Sequence, residues 1–227
     1  MFNYLINLFF PKVCAGCHTI LLTSESVLCT NCRHEMPLTQ YHLDPKNEAV
    51  KKFYGKIAIE HASALLYFNK KGIVQELIHN LKYKGHEEIG TVLGNWYVED
   101  LKELVLETDF DIVIPVPLHP KKFKERGYNQ VTTFGKALAK GLDIPYNDSV
   151  LYRKKYSKTQ SKKNLEGRSN SIEDTFDAFD TEENHNKHFL IVDDVLTTGA
   201  TLEACSRALL KIPGAKISIA CMAMANS

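Results

Sequence analysis

The sequence predicts an α/β fold, a mostly parallel sheet with helices on both faces, preceded by a small metal-held module. Short apolar runs rich in branched residues alternate with stretches whose apolar residues recur at helical spacing. The run Phe189 to Val192 contains no polar residue, the pattern of a strand covered on both faces. Ahead of this alternation stand four cysteines as two pairs, Cys14-x2-Cys17 and Cys29-x2-Cys32, with eleven residues between the pairs.

The 227 residues suffice for one full-sized domain plus a small module. With 44% hydrophobic and 24% charged residues the chain falls in the ordinary globular class. A net charge of +1 provides no global attraction to nucleic acid or membrane, so such binding would need a local patch. No apolar run approaches the roughly 20 residues of a spanning helix, so no transmembrane segment is expected. The opening "MFNYLINLFFPKVC" lacks a basic start and a small-residue cleavage site. Its Leu5, Ile6, Leu8 and Phe9 suit a short helix laid on a neighbouring surface, and the expected compartment is the cytoplasm.

In a cytosolic chain, Cys14, Cys17, Cys29 and Cys32 are expected to bind metal rather than form disulfides. Two tight turns that each present two thiolates suit a structural zinc ribbon. His18 and His34 adjoin the cluster, but four sulfurs already fill a closed site. Cys205 and Cys221 lie in apolar runs and are expected in the core. The zinc module, with its short helix, is assigned to residues 1–50 and the α/β domain to 51–227.

Within the second part, Ala62 to Phe68 is apolar enough for a strand. Ile73, Leu77, Ile78 and Leu81 mark a helix that ends in the basic turn Lys82 to Gly85. Val92, Leu93, Trp96, Val98 and Leu101 mark another. Ile112 to Val116 reads as a buried strand stopped by Pro117. Helical spacing returns with Val131, Phe134, Leu138 and Leu142. After the strand at Phe189, a helix is expected from near Thr201 to Pro213-Gly214, and the apolar run "ISIACMAMA" closes the fold.

Asp193 and Asp194 follow the Phe189 strand directly. Adjacent carboxylates repel and lose hydration unless they accept hydrogen bonds or face a cation. Vicinal sugar hydroxyls, or a Mg²⁺ held partly through water, are natural partners. Thr197, Thr198, Gly199, Ala200 and Thr201 then turn into a helix, whose N-terminal amides and positive dipole suit a phosphate. Carboxylates for a ribose and amides for a phosphate thus lie about one ribose 5-phosphate apart.

The stretch "LIVDDVLTTGAT" resembles the phosphoribosyl pyrophosphate (PRPP) loop of type I phosphoribosyltransferases. More narrowly, the chain resembles the ComF family, in which a four-cysteine zinc module precedes a phosphoribosyltransferase-like domain. "IPVPLHPKKFKERGYNQ" at 114–130, "LKYKG" at 81–85 and "TQSKKNLEGRSNSIEDTF" at 159–176 carry that narrower likeness. The resemblance implies a type I phosphoribosyltransferase fold and PRPP binding with Mg²⁺. It places Asp193 and Asp194 at the ribose hydroxyls and Thr197 to Thr201 around the 5-phosphate. It also places Val116, Pro117 and Leu118 at the pyrophosphate, with Arg126 heading an Arg-Gly-aromatic-Asn-Gln signature. The stretch Tyr152 to Phe176 would be a lid, with Gln160, Arg168 and Asn170 matching the family pattern.

If the chain is catalytic, Arg126, Asp193 and Asp194 would serve displacement of pyrophosphate from the anomeric carbon, with no covalent nucleophile. Thr197 stands where purine-salvage relatives often carry Asp, which weakens a purine-salvage reading. The resemblance also implies a link to natural competence. On that basis the chain would handle single-stranded DNA through the basic segments 121–126 and 153–163, with Tyr152 and Tyr156 interleaved. A third reading is a PRPP-sensing regulator that signals to a competence protein through the zinc module.

Overall fold

The computed structural model describes residues 11–105, 109–154 and 175–225. The Leu5–Phe9 helix and the lid residues Gln160, Arg168 and Asn170 lie outside them.

Four parallel strands form the central sheet: β1 (His61–Phe68), β2 (Ile112–Pro115), β5 (His188–Leu196) and β6 (Lys216–Ala225). Their order is β1-β6-β5-β2, so the last two strands of the chain fill the centre. Between β1 and β2 run α3 (Ile73–Tyr83) and α4 (Glu88–Val105). Beyond β2 come α5 (Pro120–Arg126) and α6 (Thr132–Leu142), and α7 (Ala200–Leu209) connects β5 to β6. A separate antiparallel pair, β3 (Leu151–Arg153) and β4 (Phe176–Ala178), brackets the segment read as a lid.

Alternation along β5 divides the core in two. Leu190 and Val192 join Leu77, Leu81, Tyr97, Phe134 and Leu138 on the face covered by α3, α4 and α6. Phe189 and Ile191 join Phe53, Phe176, Leu202, Cys205 and Leu209 on the other, beneath α7. Helices α4 and α6 approach closely because glycines line their contact. A Cβ on Gly94 would lie 2.8 Å from the Phe134 carbonyl oxygen, and one on Gly141 only 2.4 Å from Val98 Cγ2.

Both outer edges of the sheet are covered, which removes open templates for pairing with another chain. Residues 37–39 run antiparallel to β1, with Tyr67 N–H donating to Pro37 O at 2.8 Å and Thr39 N–H to Leu65 O at 3.0 Å. Buried Asn47 caps α2 (Glu48–Lys51) and donates to Ala62 O at 3.0 Å. Beside β2, Tyr146 forms a parallel bridge with Val113. The cysteine-bearing segment contains α1 (Thr30–His34), whose N-cap is Cys29. It meets both α3, where buried Asn80 Nδ2 donates to Ala15 O at 2.7 Å, and α4, where Arg33 lies over the Trp96 ring.

Candidate functional site

The carboxyl ends of β2 and β5 open into a cleft of about 380 Å³. Its walls bring Lys82, Lys122, Arg126 and Arg153 around Asp193 and Asp194, with Val116, Pro117, Leu118, His119 and Thr201 completing the rim. A concentration of cations around a carboxylate pair at this edge of an α/β sheet suits a polyanionic ligand with hydroxyl groups.

The two carboxylates face different surroundings because neighbouring strand residues point to opposite sides. Asp194 shares the side of Leu190 and Val192, beneath α3. Its side chain is 9% exposed, and Lys82 Nζ lies 2.8 Å from Oδ1. Gln130 Nε2 donates to its other oxygen at 2.6 Å. Asp193 falls on the α7 side, half-buried, with Oδ1 accepting from the Asp194 backbone N–H at 2.8 Å. Burial first, and the adjacent Asp194 charge second, push the Asp193 carboxyl up to about 7. It is therefore poised to change charge near neutrality.

Arg126 ends α5, a helix that starts at Pro120 behind the N-cap His119 and stops at left-handed Gly127. Its Nη1 donates to Gln130 Oε1 at 2.7 Å, and its guanidinium stacks 5.1 Å from the Tyr83 ring centre. Buried Nε has no hydrogen-bond partner among the described residues. A chain of contacts thus runs Tyr83, Arg126, Gln130, Asp194, Lys82. Asn129 Nδ2 donates to Val116 O at 3.0 Å, tying the α5–α6 connection to the end of β2.

On the other side of Asp193, Val195 to Leu202 enclose a small pocket of about 40 Å³ that also contains Thr197, Thr198, Gly199, Ala200 and Thr201. Gly199 precedes α7 with φ 82°, in the left-handed region, and contributes no side-chain cap. The Ala200 N–H makes only a long 3.4 Å bond to Thr198 Oγ1. Thr197, Thr198 and Thr201 are exposed, so hydroxyls and a helix N-terminus face one small concavity.

The sulfurs of Cys14, Cys17, Cys29 and Cys32 lie within 4.8 Å of one another, and none is in a disulfide. Backbone N–H groups of Gly16 and Cys29 point at Cys14 Sγ at 3.4 and 3.3 Å, and that of Cys32 at Cys29 Sγ at 3.4 Å. Amides directed at sulfur stabilise thiolates, and four converging thiolates suit a soft divalent metal. Hydrogen bonds from Thr19 bring the Cys17 thiol down to about 6, while burial raises that of Cys32. His18 is turned toward Glu76, 3.2 Å away.

A family model described as "Phosphoribosyl transferase domain" matches residues 132–227, which include β5, the acidic pair and the loop into α7. Competence protein F of Haemophilus influenzae is 26% identical over 93% of this chain and 96% of its own length. Competence protein ComFC of Bacillus subtilis is 24% identical over 88% of this chain and 78% of that protein. DNA utilization protein YhgH of Escherichia coli K12 is 24% identical over 92% and 89% respectively.

The chain is similar over most of its length to competence proteins of the ComF type.

The structure gathers Asp193, Asp194, Arg126, Val116, Pro117, Leu118 and Thr201 around one cleft, with Thr197 to Ala200 in the adjoining pocket. Sequence reading assigned no role to Lys82 and gave Gln130 only as part of a signature, and it overlooked His119. The sequence also lets Lys121, Lys122 and Lys124 gather around a pyrophosphate; of these Lys122 lines the cleft, joined by Arg153 from a second basic stretch. Within "LKYKG", a lysine that follows the buried Leu81 stripe was the available signal for Lys82.

Proposed function

We propose that the chain binds PRPP, or a related ribose 5-phosphate, with Mg²⁺, and serves DNA uptake in natural competence. One observation carries this reading: a carboxylate pair stands between a basic cleft and an open helix N-terminus. The sugar hydroxyls would donate to the acidic pair, and the 5-phosphate would sit at residues 197–201. The pyrophosphate would lie near Val116 to Leu118 with Arg126, whose planar fork suits phosphate oxygens. A Mg²⁺ would be held largely by the substrate's own phosphate oxygens, close to the acidic pair. The competence role is supported by what the relatives are named for.

Calorimetric titration of PRPP with Mg²⁺ tests the site. Wild type should bind, and the Asp193→Asn, Asp194→Asn double variant should lose detectable binding, since each charge-assisted bond contributes about 1.5–3 kcal/mol. Equal affinities would sink the assignment. Pyrophosphate release against a panel of bases, amines and water would decide turnover.

The four-cysteine cluster is read as a zinc site. Thiolates about 2.3 Å from a tetrahedral ion lie about 3.8 Å from one another, and Cys17 Sγ and Cys29 Sγ are already 3.6 Å apart. Zinc would supply much of the module's folding free energy, because few apolar residues pack around the cysteines.

A second reading, a surface for single-stranded DNA, is favoured by α5. Lys121, Lys122 and Lys124 are exposed there and Phe123 is 50% exposed, a basic face with an aromatic platform. Titrating a fluorescent single strand at two salt concentrations tests it. Affinity should fall steeply with salt, and salt-insensitive or absent binding would remove the reading.

A further inference from the structure

Consecutive strand positions give the acidic pair two different sets of neighbours, and the side of Asp194 is already occupied. Lys82 reaches it from the end of α3 at 2.8 Å and Gln130 from the connection before α6 at 2.6 Å, one on each oxygen. Little of that carboxylate remains accessible, since its side chain is 9% exposed. Asp193 accepts only a backbone N–H on Oδ1 among the described contacts, and it borders both the cleft and the small pocket at residues 195–202.

We propose that Lys82 is a positioning residue of the cleft: with Gln130 it fixes Asp194 through both oxygens, leaving Asp193 as the carboxylate that receives the sugar hydroxyls. This inference rests on the phosphoribosyl reading above and divides the labour within that site. Gln130 accepts from Arg126 Nη1 at 2.7 Å with its other end, so the same clamp also sets the guanidinium. Lys82 acts through Asp194 and does not itself contact the leaving group. Its charge also favours the ionised state of Asp193, together with that of Lys122 and against that of Asp194. Arg126, and Arg153 of β3, line the same cleft, and the buried thiols Cys205 and Cys221 stand behind Asp193.

The test compares Lys82→Met and Lys82→Arg with wild type, using ribose 5-phosphate and PRPP as separate probes across a pH series. Lys82→Met should weaken both ligands by a similar factor, about tenfold or more, because both present the same sugar hydroxyls. The pH above which binding sets in should rise by about one unit once the cation is gone. Lys82→Arg should restore most of the affinity and the original pH midpoint. Selective loss of PRPP binding with ribose 5-phosphate unaffected would overturn the proposal, because Lys82 would then touch the pyrophosphate. Weakening of both ligands with an unmoved pH midpoint would also overturn it, leaving the lysine a scaffold alone. Failure of wild type to bind either probe would instead remove the phosphoribosyl reading, a separate result.

Discussion

Asp193 and Asp194 are neighbours in the chain and strangers in their surroundings. The first is half-buried beside another negative charge; the second is held by a lysine and an amide. Because Asp193 is raised to about 7 from an ordinary carboxyl near 3.8, the folded protein keeps a proton there that the unfolded chain releases. Its contribution to stability is therefore full below about pH 4 and is lost as pH rises toward 7. Denaturant unfolding of the ligand-free protein at several pH values should show that decline, and Asp193→Asn should flatten it. A decline of equal size in the variant would mean that another group is responsible.

At the scale of elements, the turn into α7 is held from behind. A Cβ on Gly199 would lie 3.1 Å from Phe53 Cε1, and the residue's φ of 82° disfavours any side chain. Gly199→Ala should cost about 1–3 kcal/mol of stability and weaken phosphate binding together. Chemical denaturation and ligand titration would check this, and a neutral result on both would show that the turn adapts freely. The same element shows what the sequence concealed. Asp-Asp reads as a strand stop, so the strand was expected to end at Val192. It continues to Leu196 because β6 runs alongside, pairing Val195 with Ala223 and Leu196 with Met224. Segment 120–126, "PKKFKER", has no apolar period, so the sequence marks no helix there. A helix forms there with caps at both ends, His119 and Pro120 at its start and left-handed Gly127 at its stop. Strands and helices that bury a regular stripe were legible, including β1, α3, α6 and β6. The local motifs of the site were legible too, but the clamp was not: Gln130 is 64 positions from its carboxylate, and no local pattern encodes that meeting.

At the scale of the molecule, α3 joins the four-cysteine module to the cleft. Ile73 packs on the cysteine cluster, Asn80 holds Ala15 by its carbonyl, and Lys82 reaches Asp194. Purified protein should carry one zinc per chain by elemental analysis. Chelation should lower the unfolding temperature and also weaken PRPP binding, as the helix loses its seat on the module. Undiminished affinity in metal-free protein would show the two regions to be independent.

Lys82 and Asp194 are 112 positions apart, with β2, α5 and α6 between them along the chain. A ribosome must therefore finish nearly all of the polypeptide before the two can meet, and no truncated fragment owns half of a working receptor. Any small molecule that lodges there rewards only the finished article. Protection from a protease by that molecule would accordingly extend over every segment at once, rather than over the few residues it touches.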